Sequence, residues 1–587
     1  MNYEKQLFIT ALLLSGVSFS QTVQEAATPY ERPALAPAAS DVQIRTLRFR
    51  PTNTSDPQNT FKALDDFHVT RLEWSYIEAY EPGTGDPEAL APDMERIKRT
   101  EASGRIFGGA SNASSGTFVE WDDQNGKHIK KYNIVDRNGY PVIAGHMRYW
   151  KHPQSPGCVN NPTYRLGHLN YIKKYIDAGA TTMQRDEPSG QFSYAKNGSG
   201  CFCDYCMGKF NTYLKKNMSA DELKKLGIQD IGTFNYKTHL NTISPPPETD
   251  YFDWSDPRTV KRLGGKLHKH FEQFQLGSCT EFFKWIREEV KAYNGGVQLG
   301  YSCNNTSFQN WSDPFILTFD YCISEMMMKT GNPAHIYDRA QVARKLGKLQ
   351  VFGTPKSMGA DFVESELVRL KQQVLATAYA SGANGSVPWD VFMQSKDGNA
   401  RYFCKPKDFA PLFSFVRAND RYLDGYCTAG GKGPGFEDNP YADGFPITFS
   451  NTNLCVVLRA VPERKKGLLD RLLPKKENPV VIHLVDWTKG STEPMTLKLK
   501  TDTFFPGKDL AVTLRIPKAF NAAEHAAAEA AAQTMRNGDE LLGPAQSAAY
   551  EPLVRETILE TNGAGEWTEV TVPALSPWGL LVVTQKN

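Results

Sequence analysis

Eight short β-rich runs, each separated from the next by helical stretches, and a tail of closely spaced alternating strands predict a (β/α)8 barrel followed by a C-terminal β-sandwich. Two observations set the barrel apart from an open doubly wound sheet. The runs number eight between residue 43 and about residue 400. Nearly every run also ends in polar or aromatic residues, as expected where all strand C-termini build one site.

The runs are, in order, "QIRTLRFR", "VTRLEWSY", "GRIFGGAS", "ATTMQRDEP", "VQLGYSCNN", "FDYCISEM", "LQVFGTPK" and "GSVPWDVF". Helical periodicity fills the spaces with "NTFKALDDF", "PDMERIKRTEAS", "YRLGHLNYIKKYIDAG", "HKHFEQFQLGSCTEFFKWIREEVKAY" and "ESELVRLKQQVLATAYASG". After about residue 440 the texture becomes "FPITFSNTNLCVVLRAV", "NPVVIHLVDWT", "MTLKLKTDTFF", "LAVTLRIP", "WTEVTVPAL" and "WGLLVVTQ", alternating strands with turn residues between them. Two segments interrupt this tail, the basic "PERKKGLLDRLLPKKEN" and the Ala-rich "FNAAEHAAAEAAAQTMRNGDE", read as an exposed helix. No solenoid-type repeat is present. The expected organisation is a leader over 1–20, a linker over 21–42, the barrel over 43–425 and the sandwich over 426–587.

The leader rests on "MNYEKQLFITALLLSGVSFSQT", where Lys5 precedes an apolar stretch from Leu7 to Val17 and small residues at Ser18 and Ser20. That order matches a secretory signal peptide cut near Ser20, so the mature chain is expected to begin near Gln21, secreted or periplasmic. No cysteine follows the apolar run to anchor a lipid, and no other stretch reaches the ~18 apolar residues of a membrane span. The 587 residues carry 67 basic and 65 acidic side chains, a net charge of +2. Nothing in that balance implies a nucleic-acid partner or an acidic membrane surface. The oligomeric state is open.

"CFCDYC" supplies Cys201, Cys203 and Cys206, thiolates spaced to converge on one soft metal ion, a zinc knuckle short of a fourth ligand. In an exported chain with ten cysteines, disulfides are the alternative.

"GCVNNPTYR" at 157–165, then "DEP", then "CFCDYC" followed by "MGKFNTYLKKN", resembles the corresponding region of glycoside hydrolase family 42 β-galactosidases, and "SGANGSVPWDVFMQSKDG" resembles that family's eighth strand. The resemblance covers about 160–210 and 375–400. It implies a structural zinc on Cys158, Cys201, Cys203 and Cys206, an acid/base role for Glu187, and an oligosaccharide or polysaccharide substrate. The cysteine knot would fold back the long loop after strand four and fix the rim of the pocket. A closed four-cysteine site does no chemistry itself, because it has no open coordination position.

Glycosidic cleavage usually needs two carboxyl groups, one protonated and one ionised. Glu187 at the end of strand four is the first, with Asp186 beside it raising its pKa by like-charge repulsion. The second departs from the family. Its nucleophile ends strand seven, where "LQVFGTPKSMG" offers Thr354, Lys356 and Ser357 instead. The substitutes are Glu325, ending strand six, and Asp390, ending strand eight; alternatively Asp186 attacks and Glu325 is the acid, a strand-four/strand-six pair used by other barrel glycosidases. Strand ends suited to a sugar's faces and hydroxyls are Glu73, Trp74 and Tyr76, Tyr301 and Asn304, and Trp389. The long third loop adds His146 and Arg148. Arg148 and Lys356 would hold a sulfate or carboxylate on the substrate. Three rival readings stay open: a lyase or dehydratase acting on uronic sugars with His146 or a Tyr as base, a carbohydrate-binding barrel without catalysis, and a structural protein.

Overall fold

The structure, a computed structural model, describes residues 22–26, 37–45, 57–75, 94–111, 132–139, 142, 155–186, 190–196, 200–244, 265–304, 307–308, 314–326, 330–355, 363–388, 405–436, 440–441, 443–462, 478–488, 493–535 and 544–586. Strands β1 (Val42–Arg45), β2 (Arg71–Ser75), β3 (Ile106–Ser111) and β4 (Thr182–Asp186) are followed by β5 (Gln298–Asn304), β6 (Tyr321–Glu325), β7 (Leu349–Phe352) and β8 (Asn384–Ser386). They close in sequence order into a parallel barrel, with β8 pairing back onto β1. The predicted barrel is therefore observed.

Period-2 alternation sorts each strand's side chains between two buried faces. Outward, Val42 and Ile44 pack with Phe61, Leu64 and Phe67. Met183, Tyr301 and Cys322 meet the helices Pro162–Asp177 and Lys266–Tyr293 in the same way. Inward, Tyr321, Ile323, Leu349 and Val351 form a small apolar plug. The rest of the described interior is strongly polar, with Gln43, Arg71, Glu73, Thr182 and Gln184 all buried.

Two interior glycines make room for this cluster. A Cβ on Gly300 would meet the Tyr321 ring at 2.2 Å, and one on Gly108 would meet Thr182 Oγ1 at 2.4 Å and Glu73 Oε2 at 2.7 Å. Any side chain at either position displaces the groups that hold Glu73.

The C-terminal region has two antiparallel sheets. One orders β15 (Val554–Leu559), β14 (Leu510–Pro517), β18 (Trp578–Gln585), β12 (Val480–Asp486), β11 (Leu454–Ala460) and β9 (Cys427–Lys432). The other orders β10 (Ile447–Phe449), β13 (Met495–Lys500), β17 (Trp567–Val572) and β16 (Thr561–Ala564). Strands β11, β12 and β18 of the larger sheet are buried on both faces. Leu454, Val456, Leu458, Val480, Ile482 and Leu581 face the smaller sheet. Cys455, Val457, Val481, Trp578 and Leu580 face the barrel helices, packing with Leu375, Tyr379 and Phe415. This is why those three strands read as almost continuous apolar runs. Polar contacts pin the same face: Gln373 Nε2 donates to Asp486 O at 2.9 Å, and Arg515 Nε donates to Asn419 Oδ1 at 2.7 Å.

Two segments expected to be loose are docked. The Ala-rich stretch forms the helix Ala522–Thr534, but it is not an exposed helix: His525, Ala528, Glu529 and Ala532 are buried. Glu529 accepts from His68 Nδ1 at 2.9 Å and from Arg105 Nη2 at 2.7 Å, joining the C-terminal region to the loops that precede β2 and β3. Within 21–42, Val23–Ala26 is helical and Val23 is buried in the sandwich core. Among the described residues no helix is long and apolar enough to cross a membrane.

Candidate functional site

The C-terminal ends of the barrel strands place a group of charged residues at the mouth. On β4 the inward positions are Thr182, Gln184 and Asp186, because Thr182 Oγ1 reaches the Glu73 carboxylate inside the barrel, at 3.0 and 3.1 Å from its two oxygens. On β6 they are Tyr321, Ile323 and Glu325, because Tyr321 donates to Glu73 Oε2 at 3.0 Å. Thr182 and Tyr321 thus meet at one carboxylate, and Asp186 and Glu325 stand four residues beyond them, two pleats higher on the same face. The registers agree: Asp186 pairs with Ser302 and Glu325 with Asn304 on the intervening β5. The structure therefore brings Asp186 and Glu325 to one rim from β4 and β6.

Arg45, which ends β1, was missed by reading the sequence. Its Nη1 donates to Glu325 Oε1 at 2.7 Å, and both side chains are nearly buried. Its guanidinium lies 4.2 Å from the centroid of the Trp74 ring. Trp74 adopts φ 53 at an irregularity in the β2–β3 register, a left-handed conformation uncommon for a bulky residue and concentrated at functional sites. The signal for Arg45 was available in the V-Q-I-R alternation, which puts polar residues on the inner face.

Glu73 and Tyr301 sit elsewhere than expected. Glu73 is wholly buried within the barrel, bonded by Thr182, Tyr321 and Arg71. Burial raises its carboxyl above the usual range, against the lowering effect of Arg71 and the two hydroxyls. It organises the barrel interior and is closed to substrate. Tyr301 points outward, its ring 5.4 Å from Phe319. Asn304 ends β5 beside Glu325. Glu187, Asp390, Tyr76, His146, Arg148, Lys356 and Trp389 lie outside the described residues.

Behind the rim, Arg185 turns away from the barrel interior. It donates to His168 Nε2 at 3.0 Å and lies 5.5 Å from the Phe283 ring centroid, fixing the end of β4 against two helices.

The four cysteines do converge. The Sγ atoms of Cys158, Cys201, Cys203 and Cys206 all lie within 4.8 Å of one another. Cys158 Sγ is 3.6 Å from Cys203 Sγ and 3.5 Å from Cys206 Sγ. A disulfide needs about 2.05 Å. Four thiolates at about 2.3 Å from one zinc stand about 3.8 Å apart, so donor set and spacing fit a tetrahedral ion. Cys203 is the N-cap of the helix Asp204–Asn217, with no side-chain cap bond, and Cys206 lies in its first turn, where the helix dipole favours thiolate. Thiol hydrogen bonds within the cluster pull Cys203 far below its ordinary value, while burial pushes Cys158 and Cys206 well above theirs. Asn160 Nδ2 adds a bond to Cys206 Sγ at 3.3 Å.

This cluster ties two insertions together. Cys158 N donates to Tyr132 O and Phe202 N to Val135 O, so the β3–β4 loop is bound to the chain that follows β4. Gln191, in the helix Gly190–Lys196 just after the rim, accepts from Val159 N at 3.1 Å and donates to Gln275.

No family model matches the chain. An α-agarase of Thalassotalea agarivorans is 20% identical over 386 residues, 63% of this chain and 25% of that protein. An α-agarase of Alteromonas agarilytica is 22% identical over 302 residues, 49% of this chain and 20% of that protein. The matched part of the chain thus spans a quarter or less of these relatives. Among solved structures, α-L-fucosidase isoenzyme 2 from Paenibacillus thiaminolyticus aligns with a TM-score of 0.48 at 9% identity, covering 94% of this chain and 100% of that one. The β-galactosidase of Rahnella sp. R3 aligns with a TM-score of 0.42 at 14% identity, covering 68% and 59%. The sequence relatives are α-agarases rather than family 42 β-galactosidases.

Proposed function

We propose that the chain is an exported glycoside hydrolase that cleaves a polysaccharide of the agar type at the barrel mouth. The observation that carries this reading is the placement of inward carboxylates at the ends of β4 and β6, with Arg45 bound to Glu325. An opposite charge at hydrogen-bond distance favours the ionised carboxylate. Glu325 is then the nucleophile or base, and the proton donor comes from the end of β4, from Glu187 or its neighbour Asp186. That inverts the alternative in which Asp186 attacks and Glu325 supplies the proton. The names of both sequence relatives support the substrate class.

The cysteine cluster is proposed as a structural zinc site. Its place is to hold the β3–β4 loop and the helices after β4 in one frame beside the rim, with no part in the bond-breaking step.

The test is product analysis after incubation with agarose and a panel of other polysaccharides. New reducing ends with one water added per cut are expected from agarose. Products carrying a carbon–carbon double bond in place of added water would assign a lyase. Binding without new ends would assign a non-catalytic barrel.

A further inference from the structure

A second concave site lies apart from the residues of the mouth, where the sandwich meets the flank of the barrel. Its volume is about 430 Å³, within the roughly 300–1,000 Å³ of small-ligand sites. One wall is the start of the helix Pro406–Ala418, and the other is formed by the end of β14 and the starts of β15 and β18.

The lining gives this cavity a chemical preference. Lys407, Lys518 and Arg555 line it against one carboxylate, Asp408, so its charge is net positive. Trp578, almost wholly buried, contributes to the lining. Phe520 completes the wall with an aromatic surface of the kind that stacks on a pyranose.

We propose that this cavity is a secondary binding site for an acidic saccharide, with the carboxylate or sulfate ester held by Lys407, Lys518 and Arg555. That the ligand is a saccharide rests on the polysaccharide reading of the mouth; that it is anionic rests on this cavity alone. Two sites on one chain would hold a polymer longer than either does singly, through effective concentration.

Calorimetry with the full chain decides the matter, using three probes: a sulfated galactan tetrasaccharide, a neutral agarose tetrasaccharide, and inorganic sulfate. The sulfated probe should bind with an affinity that weakens as salt is added. The double substitution Lys407→Glu, Arg555→Glu, at two exposed side chains, should weaken it by about tenfold or more. Lys407→Gln, Arg555→Gln should fall between, with the thermal midpoint unchanged in both. An affinity unmoved by charge reversal overturns the site. Inorganic sulfate binding as tightly as the tetrasaccharide overturns the saccharide assignment. Because heat rather than cleavage is read, a chain that hydrolyses nothing can pass this test, and one that hydrolyses agarose can fail it.

Discussion

Arg45 Nη1 stands 2.7 Å from Glu325 Oε1, joining the end of β1 to the end of β6 over the barrel mouth, and the same guanidinium rests on the Trp74 ring. A nearly buried carboxylate without its cation would be left to pay its desolvation alone. Arg45→Met is therefore expected to lower kcat/KM by about 10²–10³-fold, as loss of one preorganised charge in a site does. Arg45→Lys keeps the charge but cannot both lie flat on an indole and bond the carboxylate, so it should restore only part. Steady-state kinetics on one soluble substrate checks both, and two fully active variants would end the assignment.

The interior of the barrel makes a separate prediction. Gly300→Ala places a methyl 2.2 Å from the Tyr321 ring, in a strand that cannot move without its neighbours. The cost expected for overpacking is about 1–3 kcal/mol. Tyr321→Leu in the same chain should recover part of it by vacating the space, although it leaves Glu73 short of a donor. Denaturant midpoints of the two single variants and the double variant test this coupling.

The cysteine cluster predicts about one zinc per chain by elemental analysis. Cys203→Ser should lower metal content and thermal midpoint together, and a strong chelator should lower the midpoint of the unmodified protein. Because Cys158, Cys201, Cys203 and Cys206 knit the β3–β4 loop to the helices behind the rim, activity should fall with the metal. Protein free of metal and lacking free thiols at these positions would replace zinc by disulfides.

The eight barrel strands were legible because each is short, apolar on one face and closed by a polar end. The helix Pro333–Lys345 and the helices between residues 204 and 243 were not assigned, and β9, "CTAGGK", has too little side chain to announce a strand. The Ala-rich helix was misjudged because its exposure depends on His68 and Arg105, more than 400 residues earlier in the chain. Tyr301 could have been read correctly. In "QLGYSCN" the apolar Leu299 and Tyr301 alternate with Gln298 and Gly300, the pattern of an outward apolar face. The mouth was legible in its carboxylates, since a strand-end acid needs only its own strand; Arg45 acquires meaning only once β1 and β6 share a rim.

The docked helix also predicts how stability depends on pH. Burial, and then the charge of His68, hold His525 down to about 4, from an ordinary value of 6.5. Burial works to raise Glu529, but the hydrogen bond from His68 and the charge of Arg105 outweigh it and set the carboxyl at about 2. Asp65 and Tyr550 complete the charged and titratable surroundings, bonding Arg105 and Glu529 respectively. Both shifts are downward, so the unfolded chain takes up these protons first and stability is lost as pH falls. His525 acts between about 6.5 and 4, and Glu529 below about 4.5. The thermal midpoint should decline through the first interval, and His525→Gln should remove much of that slope. An unchanged slope would place its origin elsewhere.

The assignment of the two carboxylates predicts opposite responses to chemical help. If the proton donor is Glu187, Glu187→Gln should lose about 10²–10⁴-fold on polysaccharide while binding it nearly as well, since the amide keeps the shape and loses only the proton. On an aryl glycoside whose leaving group needs no proton, most of that loss should vanish. Glu325→Gln should be as damaged on the aryl glycoside as on the polymer, because a good leaving group does not replace a nucleophile or base. Glu325→Ala should instead regain turnover with added azide, which enters the space the carboxylate left and attacks in its place. Asp186→Asn separates the alternatives on β4: rescue by the aryl glycoside there, with Glu187→Gln fully active, moves the acid by one residue. Rescue of Glu325→Gln by the good leaving group, with none for either β4 variant, would reverse the roles and make Glu325 the acid despite its bond to Arg45.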